Sequence, residues 1–235
     1  MVETDIARLE PGELIRSVLE RGGKPCITCS FQANGIVLLH LIRKVLPEIP
    51  ALFLDTGYHF AETYAYRDRM ARAWRLHLIN VTPELSVAEQ ESKYGKLYRE
   101  APDACCDMRK VRPLARALEN YDIWFTGLRR EDSPTRAKIP PLEQHTLPGG
   151  KTLLKANPLA FQTAKEIWAY LTIHGIEHLP LYDQGYTSIG CRVCTRLPAD
   201  PMNPRSGRWA GRKLECGIHR FDHAGGGIGQ RIAGR

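Results

Sequence analysis

Residues 25–57 read PCITCSFQANGIVLLHLIRKVLPEIPALFLDTG, and the alternation within this stretch decides the fold. PCITCS is a short apolar run of the kind a buried strand shows. NGIVLLHLIRKVL then spaces Ile36, Leu39, Ile42 and Val45 near one face of a helix. ALFLD is a second strand run. The same alternation extends outward: ELIRSVLE (13–20) suits an opening helix, and Phe60 to Ala73 a second crossover helix. LHLINV (76–81) reads as a third strand, and DIWFTG (122–127) as a fourth after a helix ending in ARAL. This βαβα order predicts an α/β fold with a mostly parallel sheet and helices on both faces. Ligands of such folds bind beyond the carboxyl ends of the strands.

Those ends are SFQANG (30–35), DTGYH (55–59) and TGLRRE (126–131), all polar and glycine-bearing, and they should converge on one crevice. SFQANG runs directly into a helix, so backbone N–H groups and the helix dipole there suit an anion. It lacks the Lys-Ser/Thr ending of a Walker A loop. Downstream, NPLAFQTAKEIWAYLTIHG (157–175) reads as a strand end followed by a helix capped by Thr163, with Glu166 three residues on.

A chain of 235 residues, 43% apolar and 25% charged, has the size and composition of one globular domain with an extension. We expect the domain over 1–200 and an irregular, flexible C-terminal arm over 201–235, whose glycine-rich end HAGGGIGQRIAGR should be mobile. No run of 18 apolar residues predicts a membrane span, and MVETDIARLE lacks a signal pattern, so the expected location is the cytoplasm. The net charge of +7 is scattered and never forms a block of five, which argues against nucleic acid. Arginines gather instead in GLRREDSPTRAK (127–138) and NPRSGRWAGRK (203–213), where bidentate hydrogen bonding suits a small phosphate or sulfate ester.

The seven cysteines sort into three groups. Cys105, Cys106, Cys191 and Cys194 form two close pairs, a donor set for zinc or an iron–sulfur cluster. Adjacent side chains diverge, which fits a single zinc poorly and a cuboidal cluster better. Cys216, in ECGIH, has Arg208, Arg212, Lys213 and His219 nearby; positive charge favours the thiolate, so it is a candidate nucleophile on a mobile segment. Cys26 and Cys29 lie within a strand run, where residues three apart point to opposite faces, and read as core.

CCDMRKVRPLARAL, TGLRREDSPTRA, NPL…WAYL, LYDQGYTSIGCRVCTR, RSGRW and ECGIH, in this order over about residues 24–219, together resemble the assimilatory adenylyl-sulfate reductases of the phosphoadenylyl-sulfate reductase family. The resemblance implies an adenine-nucleotide α-hydrolase-like fold and an oxidoreductase of sulfate assimilation and cysteine biosynthesis. It implies that Cys216 attacks the sulfur of adenosine 5′-phosphosulfate, that AMP leaves, and that thioredoxin or a glutaredoxin-like reductant releases sulfite from an S-sulfocysteine. Cys105, Cys106, Cys191 and Cys194 become ligands of one [4Fe–4S] cluster per chain, a feature that accompanies this substrate rather than its 3′-phosphorylated form. Lys110, one turn beyond the vicinal pair, would approach cluster and sulfate. Arg205 and Arg208 match arginines that grip the phosphosulfate. Arg129, Arg130 and Arg136 match the family's arginine loop, and Ser30, Phe31, Asp55, Thr56 and Gly57 its nucleotide-facing strand ends; His219 completes the substrate-binding set. The chain departs from the pattern at Gln32, where a glycine is usual, and at Asn34 and Gly35, where acidic residues are. The interval between RSGRW and ECGIH is also short, which should limit the arm's swing. The sequence leaves the oligomeric state open, a homo-oligomer included.

Two other classes compete. An ATP-consuming enzyme of the same broad fold would carry SGG-DS after the first strand, which is absent. A zinc-stabilised nucleic-acid-binding protein would show strongly salt-dependent DNA binding.

Overall fold

The structure, a computed structural model, describes residues 9–200 and 203–219. The glycine-rich end at 223–235 lies outside the described residues. Strand β1 (Pro25–Thr28) leads into α2 (Ala33–Arg43), β2 (Ala51–Leu54), α3 (Ala61–Ala73) and β3 (Leu78–Val81); α1 (Pro11–Leu19) precedes them. Short helices α4 (Val87–Tyr94), α5 (Leu97–Glu100) and α6 (Pro102–Cys106) follow, then a π-turn over Asp107–Val111 and α7 (Arg112–Leu118). Strand β4 (Ile123–Phe125), the hairpin β5 (Leu142–Thr146) and β6 (Thr152–Ala156), and α8 (Ala164–Ile173) complete the frame.

The sheet order is β3-β2-β1-β4-β6-β5, parallel throughout except for β5, which pairs antiparallel with β6. Side chains of α1, α2, α3 and α8 pack one face in the larger core cluster, and Leu114 and Leu118 of α7 cover the other. Cys26 falls in the second cluster and Cys29 in the first, on opposite faces, and both are buried. Helix α2 is apolar almost all round: Ile36, Val37, Leu38, Leu39 and Ile42 are buried, because α2 is sandwiched among the sheet, α1 and α8. Val45, expected on its buried face, lies beyond its end and is 41% exposed. Thr163 caps α8 by accepting from the Glu166 N–H, and the Glu166 carboxylate accepts from the Thr163 N–H at 2.6 Å, a capping box. No helix among the described residues is long and apolar enough to cross a membrane.

Candidate active site

Beyond the carboxyl ends of β1 and β4, where the strand order changes direction, lies a cavity of about 730 Å³. Ser30, Lys110, Arg129, Arg136, Arg205, Arg208, Cys216 and His219 of the expected set line it. Phe31, Asp55, Thr56, Gly57, Arg130 and the four paired cysteines are not among its lining residues.

Each exclusion has a local cause. Phe31 adopts a left-handed φ of 59° and turns its ring into the core, edge-on to Phe53 at 5.9 Å and Tyr66 at 6.4 Å. Gln32 follows, and its side chain ties the first loop to a segment far along the chain. Its Oε1 accepts from the Ile189 N–H at 2.9 Å, while Nε2 donates to Ser30 Oγ at 3.1 Å. Asn34 donates to both oxygens of Asp132 at 3.1 and 3.2 Å, so two of the three residues that depart from the family pattern, Gln32 and Asn34, bridge loops here. Asp55 accepts from the Tyr64 hydroxyl at 2.6 Å and the Gly57 N–H at 3.1 Å. Arg130 donates to the Ile139 carbonyl at 2.9 Å and stacks over Phe161 at 4.2 Å.

The end of β2 serves the thiols instead. Thr56 is fully buried with Oγ1 3.3 Å from Cys191 Sγ. Arg109, 3% exposed, donates to the Thr56 carbonyl at 2.5 Å and to Gln90 Oε1 at 3.0 Å. The π-turn lies directly after the vicinal pair; such insertions recur at functional sites. Within it Arg109 is buried, while the next residue, Lys110, reaches the cavity.

Cys105, Cys191 and Cys194 share one apolar cluster with Tyr58, Leu97 and Trp209, and Cys106 is buried next to them; all four are free thiols. Burial, and then the charges of Cys106, Cys191 and Cys194, push the Cys105 thiol up to about 12. Burial and Cys191 push Cys194 to about 11, and burial raises Cys106 against the pull of Lys110. Buried thiols held protonated at Cys105, Cys106 and Cys194, together with the Cys191 sulfur, form a set whose ionisation a cationic inorganic centre would favour. The donor chemistry fits an iron–sulfur cluster on Cys105, Cys106, Cys191 and Cys194. Among the described residues, no group of three or more His, Cys, Asp or Glu is placed to hold a single metal ion.

Cys216 is half-buried on the cavity wall. Burial raises its pKa, but Lys110, the Ile218 backbone N–H and Arg208 outweigh that and hold the thiol below its ordinary value. Lys110 resists the desolvation that would discharge it because the Cys191, Cys216 and Cys106 sulfurs stabilise its positive form. Arg208, 6% exposed, stacks over Trp209 at 4.4 Å; among the described residues its guanidinium makes one hydrogen bond, from Nη1 to Ser188 Oγ at 3.4 Å, and its buried Nε has no partner. A Cβ on Gly190 would stand 2.3 Å from the Arg208 guanidinium, so glycine makes room for it. Trp209 holds Arg205 and Lys213 over its ring as well, at 5.8 and 5.3 Å. Trp209 and Ala210 both take left-handed backbone, with φ of 47° and 52°.

The other arginines are committed to carboxylates. Arg129 pairs with Glu131 at 2.7 Å and Asp132 at 2.8 Å, and Arg136 with Glu215 at 2.7 Å and Asp132 at 3.2 Å. Lys110 and Arg208 form no ion pair with a carboxylate among the described residues, which leaves them as the cations open to an anion. His219 stacks on Trp124 at 5.5 Å and 14°; burial, Lys155 and Arg136 keep it neutral, so it contributes packing rather than charge. Sequence reasoning missed Gln90, Arg109, Trp209 and Glu215. Trp209 and Glu215 sit inside RSGRW and ECGIH, where the adjacent Arg208 and Cys216 were the signal for them.

Comparison with known proteins gives a direct result. The phosphoadenosine phosphosulfate reductase domain matches residues 24–197. The chain belongs to that family. It is accordingly an oxidoreductase of the sulfonucleotide reductase type. The chain is 43% identical to an adenosine 5′-phosphosulfate reductase of Mycolicibacterium smegmatis over 92% of this chain and 90% of that protein. It is 45% identical to a phosphoadenosine 5′-phosphosulfate reductase of Gloeobacter violaceus over 84% and 83%. Among solved structures, the phosphoadenylyl-sulfate reductase of Candida auris in complex with phosphate superimposes with a TM-score of 0.69, at 27% identity, over 81% of this chain and 92% of that one.

Proposed function

We propose that this reductase converts adenosine 5′-phosphosulfate to sulfite and AMP through Cys216. One observation carries the reading: a thiol held below its ordinary pKa shares a crevice with two cations that no carboxylate neutralises, Lys110 and Arg208. The anionic sulfate group seats against Lys110 and Arg208, and the adenosine end extends past Ser30 and the start of α2. The Cys216 thiolate attacks the sulfate sulfur, the bond from sulfur to the bridging oxygen breaks, and AMP leaves with that oxygen. The cations stabilise charge that moves onto the phosphate, so catalysis rests on positioning and electrostatics. A dithiol protein of the thioredoxin or glutaredoxin class then attacks the S-sulfocysteine. Sulfite departs, and the dithiol's second thiol resolves the mixed disulfide, returning Cys216 as thiol and the partner as disulfide.

Cys105, Cys106, Cys191 and Cys194 would hold a [4Fe–4S] cluster. These four residues would join α6 to the 191–194 turn through the cluster, which would supply charge to order and tune the site; the thiol exchange needs no electron from it. This cysteine quartet favours the substrate without a 3′-phosphate, although relatives of nearly equal identity are named for either substrate. The described residues 203–219 act as the arm that brings Cys216 to the crevice, and the enzyme works in the cytoplasm with a dithiol partner. Turnover of both sulfonucleotides by anaerobically prepared enzyme tests the assignment. Sulfite release should prefer adenosine 5′-phosphosulfate, and a strong preference for the 3′-phosphorylated compound would overturn it.

A further inference from the structure

The segment bearing Cys216 is held on both sides of the thiol, and upstream of it Lys213 pairs with Asp103 and Arg212 donates to the Arg99 carbonyl. On one side, the Glu215 carboxylate accepts from Arg136 Nε at 2.9 Å and Nη2 at 2.7 Å, a fork-to-fork pair, and from Thr135 Oγ1 at 2.9 Å. Arg205 adds Nη2 to the Leu214 carbonyl at 2.8 Å and lies 3.5 Å from Glu215 Oε2. On the other side, His219 stacks on Trp124, and its carbonyl accepts from Lys155 Nζ at 3.4 Å. Between these points the chain turns at Gly217, whose φ of 93° suits glycine. Cys216 faces the cavity between the two anchors.

The remaining edge of the Arg136 guanidinium donates to Asp132 at 3.2 Å, so carboxylates occupy it on both sides. A phosphosulfate would have to displace one of them. Arg208, with its unpartnered Nε, needs no such exchange. Side-chain exposures of 15% for Arg136 and 27% for Glu215 keep the pair partly shielded from water, where charge-assisted hydrogen bonds gain strength.

We infer that the Arg136–Glu215 pair is the latch that closes the Cys216 segment over the crevice, so that Arg136 positions the thiol instead of gripping the sulfonucleotide. The inference rests on Cys216 being the reacting thiol. Loss of the latch raises the population of the open segment, and the pH-independent plateau of the alkylation rate reads that population apart from the thiolate fraction, which Glu215 lowers by pushing the Cys216 thiol up.

The test is the plateau rate of iodoacetamide alkylation at Cys216, reached at pH values where the thiol is fully ionised and mapped by peptide mass spectrometry on anaerobically prepared full-length protein. Glu215→Gln and Arg136→Met should each raise it about tenfold, as loss of one charged hydrogen-bonded pair implies. The double variant should match either single change, because both break the same contact. Arg136→Lys, which keeps the charge and loses the fork, should fall between and serves where the methionine variant folds poorly. Adenosine 5′-phosphosulfate affinity, measured in a Cys216→Ser background, should change little with Glu215→Gln. Unchanged alkylation in Glu215→Gln, or weaker sulfonucleotide binding in Arg136→Met with alkylation unchanged, would overturn the latch. Sulfite production by Cys216→Ser would overturn the nucleophile assignment alone, since the alkylation comparison does not depend on turnover.

Discussion

Replacing Arg208 with methionine in a Cys216→Ser background separates anion recognition from chemistry. Methionine retains an apolar stem against Trp209, so the change mainly removes the guanidinium. Among the described residues that group spends one long hydrogen bond on Ser188 and leaves Nε unpartnered, so four of its five N–H donors remain and a bidentate anion would take two of them. Each charge-assisted hydrogen bond contributes about 1.5–3 kcal/mol, and the weaker end applies where desolvation opposes it. The expected loss is about 3 kcal/mol, roughly 150-fold in Kd for adenosine 5′-phosphosulfate. Calorimetric titration with that compound and with AMP reads the effect. AMP keeps the phosphate and lacks the sulfate, so it should lose less. An equal loss for both ligands, or less than about fivefold for the sulfonucleotide, would refute the assignment of Arg208 to the sulfate end.

Further outcomes follow from other contacts. Cys106→Ser should lower bound iron and acid-labile sulfide together and bleach the visible absorption of anaerobic protein; retained iron with unchanged colour would count against that ligand. Gln32→Ala leaves the Ile189 N–H without its acceptor in a nearly dry position and should cost about 1–3 kcal/mol in urea unfolding; an unchanged midpoint would show that the bridge does not hold the 186–190 segment. Burial, opposed by the bond to the Leu54 carbonyl, lowers the His59 pKa to about 4. The folded state therefore resists protonation that the unfolded chain accepts near 6.5, and stability declines as pH falls below that value. Between pH 7.5 and 5.5 the loss is about 1.4 kcal/mol from this residue, and His59→Phe should flatten that part of the slope. An identical slope in the variant would remove His59 as its source.

The strand–helix–strand frame was legible because the apolar periods of residues 25–57 match elements that pack on both faces of a parallel sheet. The capping box at Thr163 and Glu166 was equally plain, since its partners are three residues apart. The β5–β6 hairpin was not: LEQHT is an edge strand whose residues are half-buried or exposed, so it carries no apolar run. In the site, Cys216, Lys110 and Arg208 were found by residue type and motif, and the structure brings them to one cavity. The contacts of Thr56 and Gln32 were hidden because their partners, Cys191 and Ile189, lie 135 and 157 residues away. The Arg136–Glu215 pair spans 79 residues and hid for the same reason. Phe31 was legible as a motif position, but its left-handed backbone, which sends the ring inward, leaves no periodic trace.

Intact-mass and peptide mass spectrometry of enzyme mixed with adenosine 5′-phosphosulfate, with no dithiol present, tests the account most directly. One SO₃ group should appear on Cys216, with one equivalent of AMP released and the adduct cleared when reductant is added. An adduct on another cysteine, or AMP release with Cys216 unmodified, would contradict it.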